Sequence, residues 1–181
     1  MVELPIENVL AAFPRSERIG GIVLRPLTLG GVIAFDALGI DVLKPVGSDK
    51  ALLAAAVLSG HVREVVAGEF DFGSFAKAFK DGLYALAKAV NAIVDASFVT
   101  YVAPQPQVGR TGGNGWALDY VEMMMRLYGM TFDGALDTPL ARVFALAAVY
   151  RSASGVDHGA PDYVERTKIA AMRAAEDRNH G

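Results

Sequence analysis

WALDYVEMMMRLYGMTFDGALDTPLARVFALAAVYRSASG, residues 116–155, holds two helix patterns separated by one set of stop and start signals. In its first half Trp116, Tyr120, Val121, Met124, Leu127 and Tyr128 recur at the spacing of one helical face, with Asp119, Glu122 and Arg126 on the other. Gly129 is placed to end that helix. Asp137, Thr138 and Pro139 predict a capped start with proline in the first turn. The run from Leu140 to Tyr150 is apolar on almost every side except at Arg142, the mark of a helix buried in its own domain or under a partner. The short Met130 to Leu136 connection predicts that the two helices lie together as a helical hairpin. Met123, Met124 and Met125 point about 100° apart, so at most two of them face one core. A thioether left at the rim would suit an irregular apolar partner, and ordinary core filling with one half-exposed methionine is the plainer alternative.

Upstream of this block, VAPQPQVGRTGGNG at 102–115 has two prolines, four glycines and little to bury. It divides the chain into an amino-terminal helical part (1–102), a Gly/Pro-rich linker or loop (103–115) and a carboxy-terminal hairpin with a terminal helix (116–181). One domain carrying a long exposed loop is equally permitted. Before the linker, one long helix is predicted from Ser74 or Phe75 to about Tyr101, with Phe79, Leu83, Leu86, Val90, Ile93 and Val94 on one stripe and Lys77, Asp81, Lys88, Asn91 and Asp95 on the other. Ser48 opens a shorter helix whose run Ala51 to Leu58 is apolar all round and therefore central to a core. Thr28 reads as the cap of a helix through Val32, Ile33, Phe35 and Leu38 that Gly39 closes. The pattern predicts one short extended piece over residues 19–25 and a short helix from Ile6 to Phe13 stopped by Pro14. The last helix, Asp162 to about Asp177, has a thin apolar stripe among many charges. The expected fold class is all-α, mainly helical, with at most one short β segment.

The balance of residues narrows the function classes. A chain of 181 residues that is 52% hydrophobic and carries a net charge of −3 has no general attraction for phosphate backbones, so no nucleic acid is expected as a partner. It has no cysteine, which removes disulfides, thiolate metal sites and thiol nucleophiles together. The amino terminus carries Glu3, Pro5 and Glu7 where a signal peptide needs a basic region and an unbroken apolar core. The apolar runs Ala51 to Leu58 and Val143 to Tyr150 fall short of the roughly 20 residues that span a bilayer, so the expectation is a cytoplasmic protein without a membrane partner.

Reactive constellations are weak. His61, His158 and His180 are far apart in sequence, and none has another histidine at metal-ligand spacing. Ser74 and Lys77 make an S-x-x-K pair without its companion motifs, and a serine capping the long helix explains Ser74 better. The glycines of 109–115 lack the lysine and hydroxyl of a phosphate loop. Glu64, Glu69 and Asp71 read as solvated charges and a cap. No catalytic residue, metal or cofactor is expected, and the chain is not read as an enzyme.

One resemblance gives the reading a direction. Leu24-Arg25-Pro26-Leu27-Thr28-Leu29-Gly30 opens a first helix, an Ala/Leu-rich helix and a long helix follow, and a Gly/Pro linker leads to Trp116-x-x-x-Tyr120, Tyr128-Gly129, Leu136-x-x-Pro139 and an apolar helix ending near Tyr150. This order resembles the tail assembly chaperones of long-tailed bacteriophages over about two thirds of the chain. The resemblance implies a phage or prophage protein that binds the tape measure protein and assists polymerisation of the tail tube protein around it, without a cofactor and without joining the virion. Its client groove is expected on the Trp116 to Tyr150 hairpin, from Trp116, Tyr120, Met123, Met124, Leu127, Tyr128, Phe144 and Tyr150. A homo-oligomer is compatible with the same apolar surface. Two other readings stay open: a virion structural, tail completion or connector protein, and a helical regulatory protein.

Overall fold

The computed structural model describes residues 15–79, 82–98 and 116–153. Within them the chain is mainly helical, as its apolar periodicity predicts, with one two-stranded sheet. That sheet is a hairpin of β1 (Glu17–Ile19) and β2 (Ile22–Leu24), antiparallel, with Glu17 opposite Leu24 and Ile19 opposite Ile22. Gly20 and Gly21 turn it with φ of +55° and +90°, the left-handed pair that a tight two-residue turn requires. A Cβ at Gly20 would also collide with the Ala78 carbonyl oxygen. Two extended strands therefore stand where the sequence suggested a single extended piece.

The helices follow. Thr28 caps α1 (Leu29–Ala37) by accepting the Gly31 N–H at 3.1 Å. The Gly39 and Ile40 N–H groups fold back onto the Asp36 and Phe35 carbonyls at 2.9 and 2.7 Å to close it. After a turn at residues 48–50 comes α2 (Ala51–Leu58), begun later than its Ser48 signal suggested and with Ala51, Ala54, Ala55, Ala56, Val57 and Leu58 all buried. Next are α3 (Val62–Ala67), α4 (Phe72–Ala76), α5 (Gly82–Ser97), α6 (Trp116–Tyr128), α7 (Phe132–Leu136) and α8 (Leu140–Ala153). The small side chains of α2 let α5 lie directly against it, and α1 packs across α2 and α3.

The long helix expected from Ser74 to Tyr101 is corrected by this structure. Asp71, and not Ser74, caps the short α4, accepting the Ser74 N–H at 3.1 Å; α4 ends at Ala76, and α5 starts at Gly82 with φ +82°. An α-helix cannot run through a left-handed residue. On α5 the expected apolar stripe is buried at Leu86, Val90, Ile93 and Val94, while Leu83 is exposed.

Asn91, placed on the polar stripe by its sequence position, is turned inward. Its Oδ1 accepts the Val46 N–H at 2.8 Å and its Nδ2 donates to the Val46 carbonyl at 3.1 Å. The amide thus clamps the loop after α1 onto the central helix, replacing both hydrogen bonds that a strand neighbour would supply.

The expected hairpin of residues 116–150 takes a different form. Its connection contains α7, capped by Thr131, which accepts the Gly134 N–H at 3.1 Å. Phe144 of α8 touches both Trp116 and Tyr120 near the start of α6, while Tyr128 at the end of α6 donates to the Leu146 carbonyl at 2.8 Å. Phe144 and Leu146, two residues apart on α8, thus meet side chains from both ends of α6. Thr138 does not cap α8 either. Its hydroxyl donates to the Gly134 carbonyl at 2.7 Å, and the Pro139 carbonyl begins the helical bonding by accepting from Val143 at 3.1 Å.

What fixes the start of α8 is a backbone seam with the start of α1. Leu29 N–H donates to the Thr138 carbonyl at 3.2 Å, and Leu140 N–H donates to the Leu27 carbonyl at 2.8 Å. One buried cluster then runs from Leu24 to Ala147 and includes α1, α2, α5, α6 and α8. The expected linker 103–115, the helix at 6–13 and the helix at 162–177 lie outside the described residues.

Asn91→Ala leaves the Val46 backbone groups without their partners and should cost about 1–3 kcal/mol. Urea unfolding of the variant against the wild type checks this. A midpoint that does not move would show the clamp to be dispensable.

Candidate interaction surface

The eight residues expected to line a groove divide into two sets. Trp116, Tyr120, Met124 and Phe144 are buried. The rings of Trp116, Tyr120 and Phe144 stand 5.4–6.1 Å apart, and Phe98, at the end of α5, reaches Trp116 at 6.4 Å and Phe144 at 5.8 Å. Such tilted and edge-on aromatic packing joins α5, α6 and α8 from within. These four side chains hold the core and are not a surface, which corrects the groove as the sequence suggested it: the apolar face of α6 is spent on the fold. Met123 and Leu127 are half-buried, and Tyr128 and Tyr150 are exposed.

The opposite face of α6 carries what remains. Leu118 is 54% exposed and Met125 41%. They are seven positions apart, close to two helical turns, so they stand nearly in line, with Asp119, Glu122 and Arg126 around them. Met124 is fully buried and Met125 is not, so the methionine run divides as the 100° rotation requires. Phe132, in the first turn of α7, is 51% exposed. No signal in the amphipathic pattern marks Leu118 or Met125 as apolar residues facing outward, other than that they break the polar face.

Tyr128 sits at the edge of this surface. Burial pushes its phenol above the ordinary tyrosine range, and neighbouring Tyr150 adds to the shift. A group whose pKa is raised on folding contributes stability that is fully present below its unfolded value, near 10, and is lost as pH rises through the higher folded value.

A second apolar region was missed in the sequence. Phe70 lies 4.9 Å from Phe72 and 5.1 Å from Phe75, and Phe75 lies 5.2 Å from Phe79, all edge-on, with His61 tilted against Phe70 at 4.9 Å. All four phenylalanines are half-buried, and they are four of the nine in the chain, within ten residues. That concentration was the available signal. The carboxylates beside them behave as read: Asp71 caps α4, and its hydrogen bonds with Ser74 hold its carboxyl below the usual range. His61 stands 4.0 Å from Glu64 at the surface, while His158 and His180 lie outside the described residues.

A shallow hollow of about 250 Å³ opens between residues 15–17 and the outer side of α5, floored by Pro26, Ala92, Ile93 and Ala96. Among the described residues no three His, Asp or Glu side chains converge as metal ligands, and no helix is long and apolar enough to cross a membrane.

Two outcomes test this division of α6. Met124→Ala should cost about 2–5 kcal/mol, the range for emptying a buried site, whereas Met125→Ala should stay within about 0.5 kcal/mol in thermal unfolding. Tyr128→Phe should flatten the fall in melting temperature between pH 9.5 and 11.5, and an unchanged slope in the variant would assign that fall to other groups. No protein-family model, curated protein or solved structure matches the chain.

Proposed function

We propose that this protein is a tail assembly chaperone of a long-tailed bacteriophage, a cytoplasmic helical protein that binds the tape measure protein and assists polymerisation of tail tube subunits around it. The single observation that supports the reading best is the outer face of α6, where Leu118 and Met125 stand exposed in line. The mainly helical fold agrees with what the resemblance implies, and the motifs that carry the resemblance, Leu24 to Gly30 and Trp116 to Tyr150, meet at the seam between α1 and α8. Methionine and leucine at the margin of a charged helix face offer adaptable contact to an apolar helical client. The area is small, which fits a client that must be released when tube subunits arrive. Work of this kind needs neither a cofactor nor a catalytic group.

A virion structural protein is the second reading, supported by the same exposed residues, and it differs in where the protein ends up. The test is co-expression with a tape measure protein and a tail tube protein of a long-tailed bacteriophage. The wild type should co-purify with the tape measure protein and be absent from finished particles, and a folded Leu118→Asp/Met125→Asp variant should lose at least about tenfold in that binding, or 1.4 kcal/mol. Unchanged binding by the folded double variant would reject the α6 face as the client site. Recovery of the protein in purified virions would reject the chaperone.

A further inference from the structure

The outer face of α6 carries an order of charges as well as its two apolar residues. Leu118 and Asp119 lie near the start of the helix, Met125 and Arg126 near its end, and Glu122 midway between them, all exposed. At about 100° per residue Leu118, Glu122 and Met125 share one stripe, and Asp119 and Arg126 share the flank beside it. Among the described residues Arg126 makes no ion pair, although Glu122 is one turn before it.

This order matches itself when reversed. A two-fold axis at Glu122 sets two copies of α6 antiparallel, with position 118 of one level with position 126 of the other. Leu118 then falls one residue, about 1.5 Å, from level with Met125 of the second copy, and Asp119 is displaced equally little from Arg126 of the second copy. In an antiparallel pair like flanks face each other, so carboxylate meets guanidinium on both sides of the axis. A parallel pair offers no such match, because each residue stands level with its own copy, acid beside acid.

We infer that a second copy of this chain docks on the outer face of α6, the two helices antiparallel about Glu122, with Leu118 packed on Met125 and Asp119 paired with Arg126 in both directions. The two Glu122 carboxylates stand together at the axis and oppose the association. Since α6 has 13 residues and is about 20 Å long, the shared area lies at the small end of specific interfaces, and the dimer is weak, with a Kd on the order of 100 µM. Where the client uses the same face, a consequence that rests on the proposed function, the second copy caps that face until the client displaces it.

Sedimentation equilibrium of the full chain from about 5 to 500 µM tests the dimer, and it uses the protein alone, so the result is separate from that of client binding. The wild type should pass from monomer to dimer over this range. Asp119→Arg and Arg126→Glu, each folded by circular dichroism, should each weaken association at least about tenfold by setting like charges together. An equimolar mixture of the two variants should recover association to within about threefold, because both opposite-charge pairs form again between unlike copies. Glu122→Gln should tighten it at least about threefold by removing the repulsion at the axis. Association that no charge variant changes, or a mixture that stays as weak as either variant alone, would overturn the inference. A wild type that remains monomeric throughout would overturn it too, and would leave the face to a different protein.

Discussion

The first N–H groups of an α-helix find no acceptor inside it. In this chain two helix starts relieve that shortage for each other: α1 takes the Thr138 carbonyl at its first residue, Leu29, and α8 takes the Leu27 carbonyl at its first residue, Leu140. The exchange joins segments more than a hundred residues apart in sequence, and it needs extended backbone at both places. Pro26 and Pro139 favour it, since each keeps the residue before it out of helical angles. With the two starts held together, α7 is drawn under the start of α1. The close approach is visible at Gly30, where a Cβ would stand 3.2 Å from the Leu136 carbonyl oxygen. The aromatic group of Phe98, Trp116, Tyr120 and Phe144 then joins α8 to α5 and α6.

Signals confined to a few neighbouring residues were readable. Thr28 and Gly39 bound α1 as expected, Gly129 ends α6, and the all-round apolarity of Ala51 to Leu58 marked an interior helix. What escaped depends on partners far along the chain. Asn91 reads as a solvent-facing amide until Val46, 45 residues earlier, is brought against it. The anchoring of the start of α8 depends on the Leu27 to Leu29 segment, which no pattern within 116–155 contains. Other errors were local and avoidable in principle. Gly82, at φ +82°, lies within a periodic apolar stripe that the sequence continues on both sides of it, so the periodicity hides the break.

The candidate site shows a subtler confusion. Trp116, Tyr120 and Met124 do share one apolar face, but the core covers that face and leaves none of it to a partner. A strongly amphipathic helix in a chain of this size is first claimed by its own core, because leaving such a face in water forfeits the burial that holds the fold. What remains for recognition is the exception on the polar side: Leu118 and Met125 among Asp119, Glu122 and Arg126. Apolar residues out of phase with the helix are therefore the more informative ones for function in this chain.

The contact between Phe98 and Trp116 has a further consequence. Their rings meet at 6.4 Å, yet residues 99–115 intervene in sequence, so both ends of that insert are pinned at one point of the core. Closing a longer loop between pinned ends is inexpensive, about 0.6 kcal/mol for each doubling of its length. Lengthening the sequence between Phe98 and Trp116 should therefore cost little, while the aromatic clasp keeps the helices on either side of it in register.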